Sequence, residues 1–325
     1  MTLHISESEV HTLLTMSMAV DAVEEISRKQ ASSEVVVHPR RRFEFPGGSF
    51  FHYMAAADYS AGYIAMKQYT FVRGKLQFLV PLYEMATGQL VALIEADYMG
   101  QLRTGAASGV ATKYLARRDA RVAAIIGTGG QAKTQLEAVA AVRSLESVNV
   151  FGRDPQKREA FCKEMSQRIG LPVRAATSAS EALQGAHVVC TATTAVQPVV
   201  HGADLTSGVH INAIGANHAH KRELNDEAVA SADVIVVDSI EQSRQEAGDL
   251  IIAFHGDESC WTGVKRLSDV VAGKTGGRTS ETEVTLFKSN GIAAWDLAVA
   301  MQVYKAACEQ GVGREVPLWS ASAAQ

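Results

Sequence analysis

Three features of the sequence predict an α/β protein in two parts. From Val122 onward, short apolar runs alternate with amphipathic helical stretches, which is the grammar of βαβ units and a parallel sheet. Between about Val35 and Leu93 the pattern is one of short strands broken by turn residues, with helical stretches on both sides, so this region predicts an α+β lobe. A last helical stretch, 292–310, follows the βαβ region. We expect it to return to the first lobe and make that domain discontinuous, with residues 1–118 and 294–325 in one domain and 119–293 in the other.

The elements follow in order. Residues 6–31 predict one helix, because Leu13, Leu14, Val20, Val23 and Ile26 recur at helical spacing among charged residues. Strands are predicted at 35–37, 50–54, 63–67 and 78–83, punctuated by Pro46-Gly47-Gly48 and Thr87-Gly88. An Ala-rich helix is expected over 102–115. Then come a buried strand at 122–126, a helix over 131–145, a strand at 147–151 and a helix over 155–169. Further strands are predicted at 188–193, 210–214 and 234–237. Strands apolar on both faces belong in a sheet covered on both sides.

Composition narrows the class. With 47% hydrophobic and 20% charged residues the chain reads as an ordinary globular protein. A net charge of −4 argues against a nucleic-acid partner, which needs a clustered basic surface. No apolar run approaches the roughly 20 residues that cross a bilayer, so no membrane partner is expected. The first residues lack a basic segment followed by an apolar one, so no signal peptide is read. Cys162, Cys190, Cys260 and Cys308 are widely spaced without a CxxC pair, so reduced thiols are expected, with neither a zinc site nor a disulfide framework. A cytoplasmic address follows by default.

The segment after the strand at 122–126 carries the most specific local signal. Gly127-Thr128-Gly129-Gly130-Gln131-Ala132 fits G-x-G-x-x-A between a strand and a helix, the setting that a dinucleotide pyrophosphate requires. Gly127 permits the tight turn, Gly129 lets the backbone approach the phosphates, and Ala132 lets the helix pack closely. The helix N-terminus adds free N–H groups and a positive dipole end. A Rossmann-type dinucleotide-binding domain is therefore predicted. The end of the second strand bears on cofactor choice. Where an enzyme using NAD tends to carry an acid for the ribose hydroxyls, this chain has Gly152, followed by Arg153 and Asp154. Arg153, with Lys157 as helper, suits a 2′-phosphate, so NADP(H) is preferred. Asp154 as a displaced ribose ligand keeps NAD(H) open.

The first lobe offers cations in apolar settings. Lys67 lies in a strand with few other charges, Arg103 in Leu102-Arg103-Thr104-Gly105, and Arg40, Arg41 and Arg42 in the run after Pro39. Each alone reads as a solvated surface residue. Together they suggest a clamp for a carboxylate, which arginine binds bidentately.

In these residues the chain resembles the ornithine cyclodeaminase/mu-crystallin family. The likeness is carried by Lys67, by Leu102-Arg103-Thr104-Gly105-Ala106-Ala107 and by the glycine turn. It continues through Ile211-Asn212-Ala213-Ile214-Gly215-Ala216, Arg222-Glu223-Leu224, Asp238-Ser239 and Phe287-Lys288-Ser289-Asn290-Gly291. The resemblance implies a homodimer whose α+β lobe makes the dimer contact and binds substrate. It implies that Arg41, chosen for a Pro-x-Arg pattern, acts with Lys67 and Arg103 to hold a substrate carboxylate. It also implies that Thr104, the glycine turn, Thr191 to Thr194 (Thr191 and Thr193 foremost), Ile214, Gly215, Ala216 and Ser289 lie near the cofactor.

One departure from the family pattern shapes the functional expectation. Cyclodeaminases and the related alanine dehydrogenases carry an aspartate where this chain has Asn217. An amide hydrogen-bonds but does not exchange a proton at neutral pH, so deamination chemistry loses its acid/base. His218 and His220 flank the position as substitutes or as exposed loop residues. Their spacing also suits a metal pair, but no third ligand is evident and no metal is expected. Reduction of a preformed imine needs less: a clamp, a hydride, and one proton that Lys67 or water supplies. The expectation is an NAD(P)H-dependent reductase of a carboxylate-bearing imine, a cyclic ketimine or a small imino acid, with Asn217 near the substrate. The rivals are ornithine cyclodeaminase, an alanine-type dehydrogenase, and a non-catalytic binder of NADPH or a small ligand.

Overall fold

The computed structural model describes residues 1–318. The chain forms two compact units, one of Met1–Arg103 with the segment from Ile292 onward, the other of Thr104–Gly291. The division falls inside one helix, α3 of Asp97–Leu115, and not at the expected residue 118. This helix shows no compositional break. Gly105, just past the division, packs so closely on the helix of Gly130–Val142 that an added Cβ would lie 2.4 Å from the Thr134 carbonyl oxygen.

The first unit begins with β1 (Thr2–Ile5), α1 (Glu7–Leu13) and α2 (Met16–Ala31). The single helix expected over 6–31 is thus two. Leu14 is extended, and the Thr15 hydroxyl restarts the helix by accepting from the Met18 N–H. Strands β2 (Val35–Phe45), β3 (Ser49–Asp58), β4 (Tyr63–Val72), β5 (Lys75–Glu84) and β6 (Leu90–Glu95) form an antiparallel meander. With β1 beside β6 and a C-terminal strand (Arg314–Val316) at the edge, they complete a seven-stranded sheet. Alternation along β3 and β4 buries His52, Met54, Ala56, Ala65 and Lys67 on one face. The C-terminal helix, Ala293–Gln310, packs on β3, β4 and α2 and is buried through Trp295, Leu297 and Val303.

The second unit holds a parallel sheet of β7 (Val122–Ile126), β8 (Ser147–Phe151), β9 (Val173–Ala175), β10 (Val188–Thr191), β11 (His210–Ala213), β12 (Val234–Val237), β13 (Lys265–Arg266) and β14 (Thr285–Lys288). Its order is β13-β12-β14-β11-β10-β7-β8-β9. The strand order reverses between β7 and β10, the switch point at which doubly wound sheets bind ligands. Helices α4 (Gly130–Val142) and α5 (Pro155–Ile169) flank β8 in the chain. Apolar side chains pack in two clusters, one containing Ile125, Leu136 and Val148, the other Ile211, Leu250 and Leu286. Strands β10 and β11 stop at Thr191 and Ala213, short of the predicted ends at 193 and 214. Beyond them the backbone turns into loops that side chains hold. Among the described residues, no helix is long and apolar enough to cross a membrane, and no cluster of three potential metal ligands occurs.

Candidate active site

The glycine turn sits at the C-terminal end of β7. Gly127 has φ of +122°, and a Cβ there would lie 2.4 Å from the Ala192 carbonyl oxygen, so no side chain fits. Gly129 is the N-cap of α4, with no side-chain cap and open space around its missing Cβ. The exposed helix N-terminus thus keeps its N–H groups available to an anion. Ala132 is fully buried against the sheet, while Thr128 and Gln131 are half-buried and Gly130 is exposed. This cradle fits the pyrophosphate of a dinucleotide, which the turn would hold through the backbone N–H groups that follow Gly127, whose own N–H donates to the Phe151 carbonyl.

At the end of β8 the structure explains why no acid stands at residue 152. A Cβ on Gly152 would come 2.7 Å from Cγ2 and 3.0 Å from Oγ1 of Thr128. Arg153 is exposed. Asp154, the alternative ribose ligand, is the N-cap of α5, where one carboxylate oxygen accepts from the Gln156 and Lys157 N–H groups. Sequence reasoning missed Arg158, which donates to the Gly152 carbonyl at 2.9 Å and lies over the Phe151 ring. Its signal was available, since it stands one helical turn beyond Asp154 on α5.

On the other side of β7, the loops after β10 and β11 are bound to a buried carboxylate. Thr191 and Thr193 reach Glu223 through a hydroxyl and a backbone N–H, each at 2.7 Å, and Gly215 N–H reaches it at 2.7 Å. Ile214 is buried and its N–H donates to the Thr191 carbonyl. Ser289, also buried, donates to Asp238, which accepts from the Asn290 and Gly291 N–H groups as well. Thr104 is buried near the start of this unit's share of α3. Asn217 is exposed, with its Oδ1 2.9 Å from Nδ1 of His218. His218 and His220 have ring centroids 5.6 Å apart.

In the first unit, Lys67 and Arg103 converge. Both are buried, and both approach one oxygen of Asp296 on the C-terminal helix, Lys67 Nζ at 2.9 Å and Arg103 Nε at 3.1 Å. Asp296 was not foreseen. Its signal was a lone acid in an otherwise apolar helical run, 292–301. Gly100 makes room for the lysine, because a Cβ there would meet Nζ at 2.7 Å. Burial, only partly offset by Asp296 and reinforced by the charges of Arg103 and Arg40, lowers the Lys67 pKa to about 8. Phe78 lies beneath the ammonium, 5.4 Å to the ring centroid. Arg103 Nη1 and Asp296 Oδ2 are buried without a hydrogen-bond partner among the described residues.

Arg41 does not join this group. It pairs with Tyr53, which pairs with Gln68, and those residues lie on the sheet face opposite Met54 and Lys67. An irregularity in β2 between His38 and Arg41 shifts the register there, which the Pro-x-Arg pattern does not reveal. Arg40, half-buried, is the arginine of this run whose charge acts on Lys67.

The switch point, glycine turn and open helix N-terminus define a nucleotide-binding α/β unit, accompanied by a unit bearing buried cations. The chain belongs to the ornithine cyclodeaminase/mu-crystallin family, whose model matches residues 2–311. It is 40% identical over 239 residues to a Delta(1)-pyrroline-2-carboxylate reductase of Bacillus cereus, covering 73% of each chain. It is 33% identical over 329 residues to an alanine dehydrogenase of Archaeoglobus fulgidus, covering 97% of this chain and 98% of the relative. The structure of Thermococcus litoralis Delta(1)-pyrroline-2-carboxylate reductase in complex with NADH and L-proline matches with a TM-score of 0.93. That match has 35% identity and covers 97% of this chain and 100% of the other.

Proposed function

We propose that the protein is an NAD(P)H-dependent reductase of carboxylate-bearing imines, such as a pyrroline- or piperideine-carboxylate or a small open-chain imino acid. The observation that carries this reading is the Lys67–Asp296–Arg103 group. Two buried cations share one acid, and the Arg103 Nη1 donor is left unmet. A buried donor without an acceptor costs about 1–3 kcal/mol, which a ligand carboxylate relieves. Lys67 and Arg103 orient the substrate through that carboxylate. A bound reduced nicotinamide supplies the hydride to the imine carbon. The imine nitrogen takes one proton in the same two-electron reduction, and Lys67, with a pKa of about 8, is matched to hold that proton near neutral pH. The relatives named above include a pyrroline-2-carboxylate reductase, which supports this substrate class.

Asn217 favours reduction over cyclodeamination or alanine oxidation, since it has no proton to exchange. NADP(H) is the preferred cofactor in this proposal, with the exposed Arg153 beside the side-chain-free Gly152 taking the 2′-phosphate. The homodimer is part of the same proposal. The outer face of the seven-stranded sheet exposes Phe43, Phe45, Ile64, Met66 and Val72, an apolar surface that a second copy would cover. The test is a spectrophotometric screen of NADPH and NADH oxidation against cyclic imines and against keto acids supplied with amines. Net oxidation with a cyclic imine supports the proposal. Ammonia release from ornithine without net redox change, or tight NADPH binding without turnover, overturns it.

A further inference from the structure

The fully buried Glu223 belongs to the second unit but to none of the groups that the glycine turn or the carboxylate clamp requires. It lies in the connection that follows β11, and its carboxylate collects three donors: one from the last residue of β10, one from the loop after β10, and one from an earlier residue of its own connection. Oε2 accepts from the Thr191 hydroxyl and the Gly215 N–H, and Oε1 accepts from the Thr193 N–H, each at 2.7 Å. One side chain therefore ties the loop after β10 to the loop after β11.

The carboxylate is itself anchored. The Glu223 and Leu224 N–H groups donate to Asp249 Oδ1 at 2.6 and 2.9 Å. Asp249 Oδ2 lies 3.1 Å from Nζ of Lys288, at the end of β14, and both side chains are fully buried. Lys288 in turn donates to the Ala213 and Ala216 carbonyls, which bracket the loop bearing Gly215. Burial, with the nearby Asp249 charge, holds the Glu223 carboxyl above the usual carboxylate pKa, although Lys288 and the Thr191 and Thr193 donors oppose the rise. A carboxylate bound by donors at its two oxygens resists displacement, which suits it to fixing a distance.

The loops so tied border the glycine turn. The would-be Cβ of Gly127 meets the Ala192 carbonyl at 2.4 Å, and that of Gly215 meets the Thr193 carbonyl at 2.3 Å and Glu223 Oε1 at 2.5 Å. The three backbone segments touch without room for a methyl group. In a doubly wound sheet the pyrophosphate lies at the switch point. The adenosine half extends over the strand next to β7 on one side, here β8, and the second mononucleotide over the other side, here β10 and β11.

We propose that Glu223, braced by Asp249 and Lys288, is a positioning residue that sets the shelf for the nicotinamide half of the cofactor and not for its adenosine half. The proposal rests on the nucleotide-binding part of the function proposed above. Its test separates the two halves of the ligand. Dissociation constants for NADH, NADPH and ADP-ribose are measured by fluorescence titration of the full chain, wild type beside Glu223→Gln. Thr191→Val, which removes one donor while keeping volume, gives the same test if the glutamine variant does not fold. The expected result is about tenfold weaker binding of the whole dinucleotides in Glu223→Gln, a size appropriate to losing charge-assisted bonds in a buried site, with ADP-ribose bound within about twofold of wild type. Thr191→Val should shift the dinucleotides alone, in the same direction and by less. Equal loss of all three ligands, or unchanged dinucleotide binding in a folded variant, overturns the positioning role. Failure of the wild-type protein to bind any of the three would instead overturn the nucleotide reading.

Discussion

Replacing Asp296 by asparagine keeps the volume of the side chain and removes the charge on which Lys67 and Arg103 converge. At 2.9 and 3.1 Å, and with an effective dielectric constant of about 20, each cation loses roughly 5–6 kcal/mol of attraction. The two cations do not respond alike. Lys67 has a pKa of about 8, so shedding its proton at pH 7 costs only about 1.4 kcal/mol, and the lysine takes that route. Arg103 has no such route, because its guanidinium stays charged. The penalty therefore falls mainly on Arg103, and we expect a stability loss of about 3–5 kcal/mol, the size seen when a buried pair is broken from one side. Urea unfolding of wild type and variant at pH 7 and equal protein concentration measures it. The same reasoning predicts that a non-reactive planar ring carboxylate, such as pyrrole-2-carboxylate, raises the melting temperature of the variant more than that of wild type, because it replaces the missing anion. A variant within about 1 kcal/mol of wild type, with no greater response to the carboxylate, would refute the assignment of these three residues to one electrostatic unit.

Imine reduction should fall as pH rises through about 8, because the Lys67 ammonium is the charged form below that value and is lost above it; the kcat/KM profile should lose this limb in Lys67→Arg. Arg40→Ala is expected to lower kcat/KM about tenfold or more by removing a charge beside the clamp, whereas Arg41→Ala, on the far face of the sheet, should change it less than about threefold; steady-state kinetics on a cyclic imine distinguishes them. Arg153→Ala should weaken NADPH about tenfold and leave NADH nearly unchanged, as read by titration of cofactor fluorescence. Gly152→Asp alone should weaken both cofactors, since its Cβ meets Thr128, and only the pair Thr128→Gly with Gly152→Asp should shift preference toward NADH.

Much of the second unit was legible because its signals are local. A turn needing φ of +122° at Gly127 and a helix packing closely at Ala132 leave their mark within six consecutive residues. Strands β7 and β12 carry unbroken apolar runs, although short ones such as β9, β13 and β14 fall below what periodicity resolves. What the sequence does not disclose is which distant residues meet. Lys67 and Asp296 are separated by 229 positions, and nothing near either identifies the other as its partner. The face on which an arginine of the Arg40–Arg42 run points depends on one register shift in β2, and a shift of one residue reverses every side chain beyond it. The part played by Asp154 is open to two readings for a related reason, since an acid just before a proline at a helix start satisfies an N-cap as readily as a ligand. The break at Leu14 and Thr15 was similarly hidden, because apolar residues continue at helical spacing across it.

The two buried charge groups are built to different ends, and the difference lies in which donors remain unmet. In the second unit the carboxylates of Glu223 and Asp249 are bound by backbone N–H groups, a hydroxyl and Lys288, and Lys288 by two carbonyls and an acid. That group spends its hydrogen bonds on the chain itself, and its product is a fixed shape. In the first unit two cations face one acid, leaving the formal sum at one positive charge, with a guanidinium donor unmet. Such a group is complete only with an anion from outside. A planar imine carrying its carboxylate next to the C=N bond meets that need at one end and presents its electrophilic carbon one bond away. The positive charge that holds the acid therefore also fixes the distance from the clamp to the reacting atom. A substrate lacking the carboxylate, 1-pyrroline itself, should accordingly lose kcat/KM by about a hundredfold or more against its carboxylate-bearing counterpart. Comparable rates for the two in the same assay would mean that Lys67 and Arg103 do not hold the substrate.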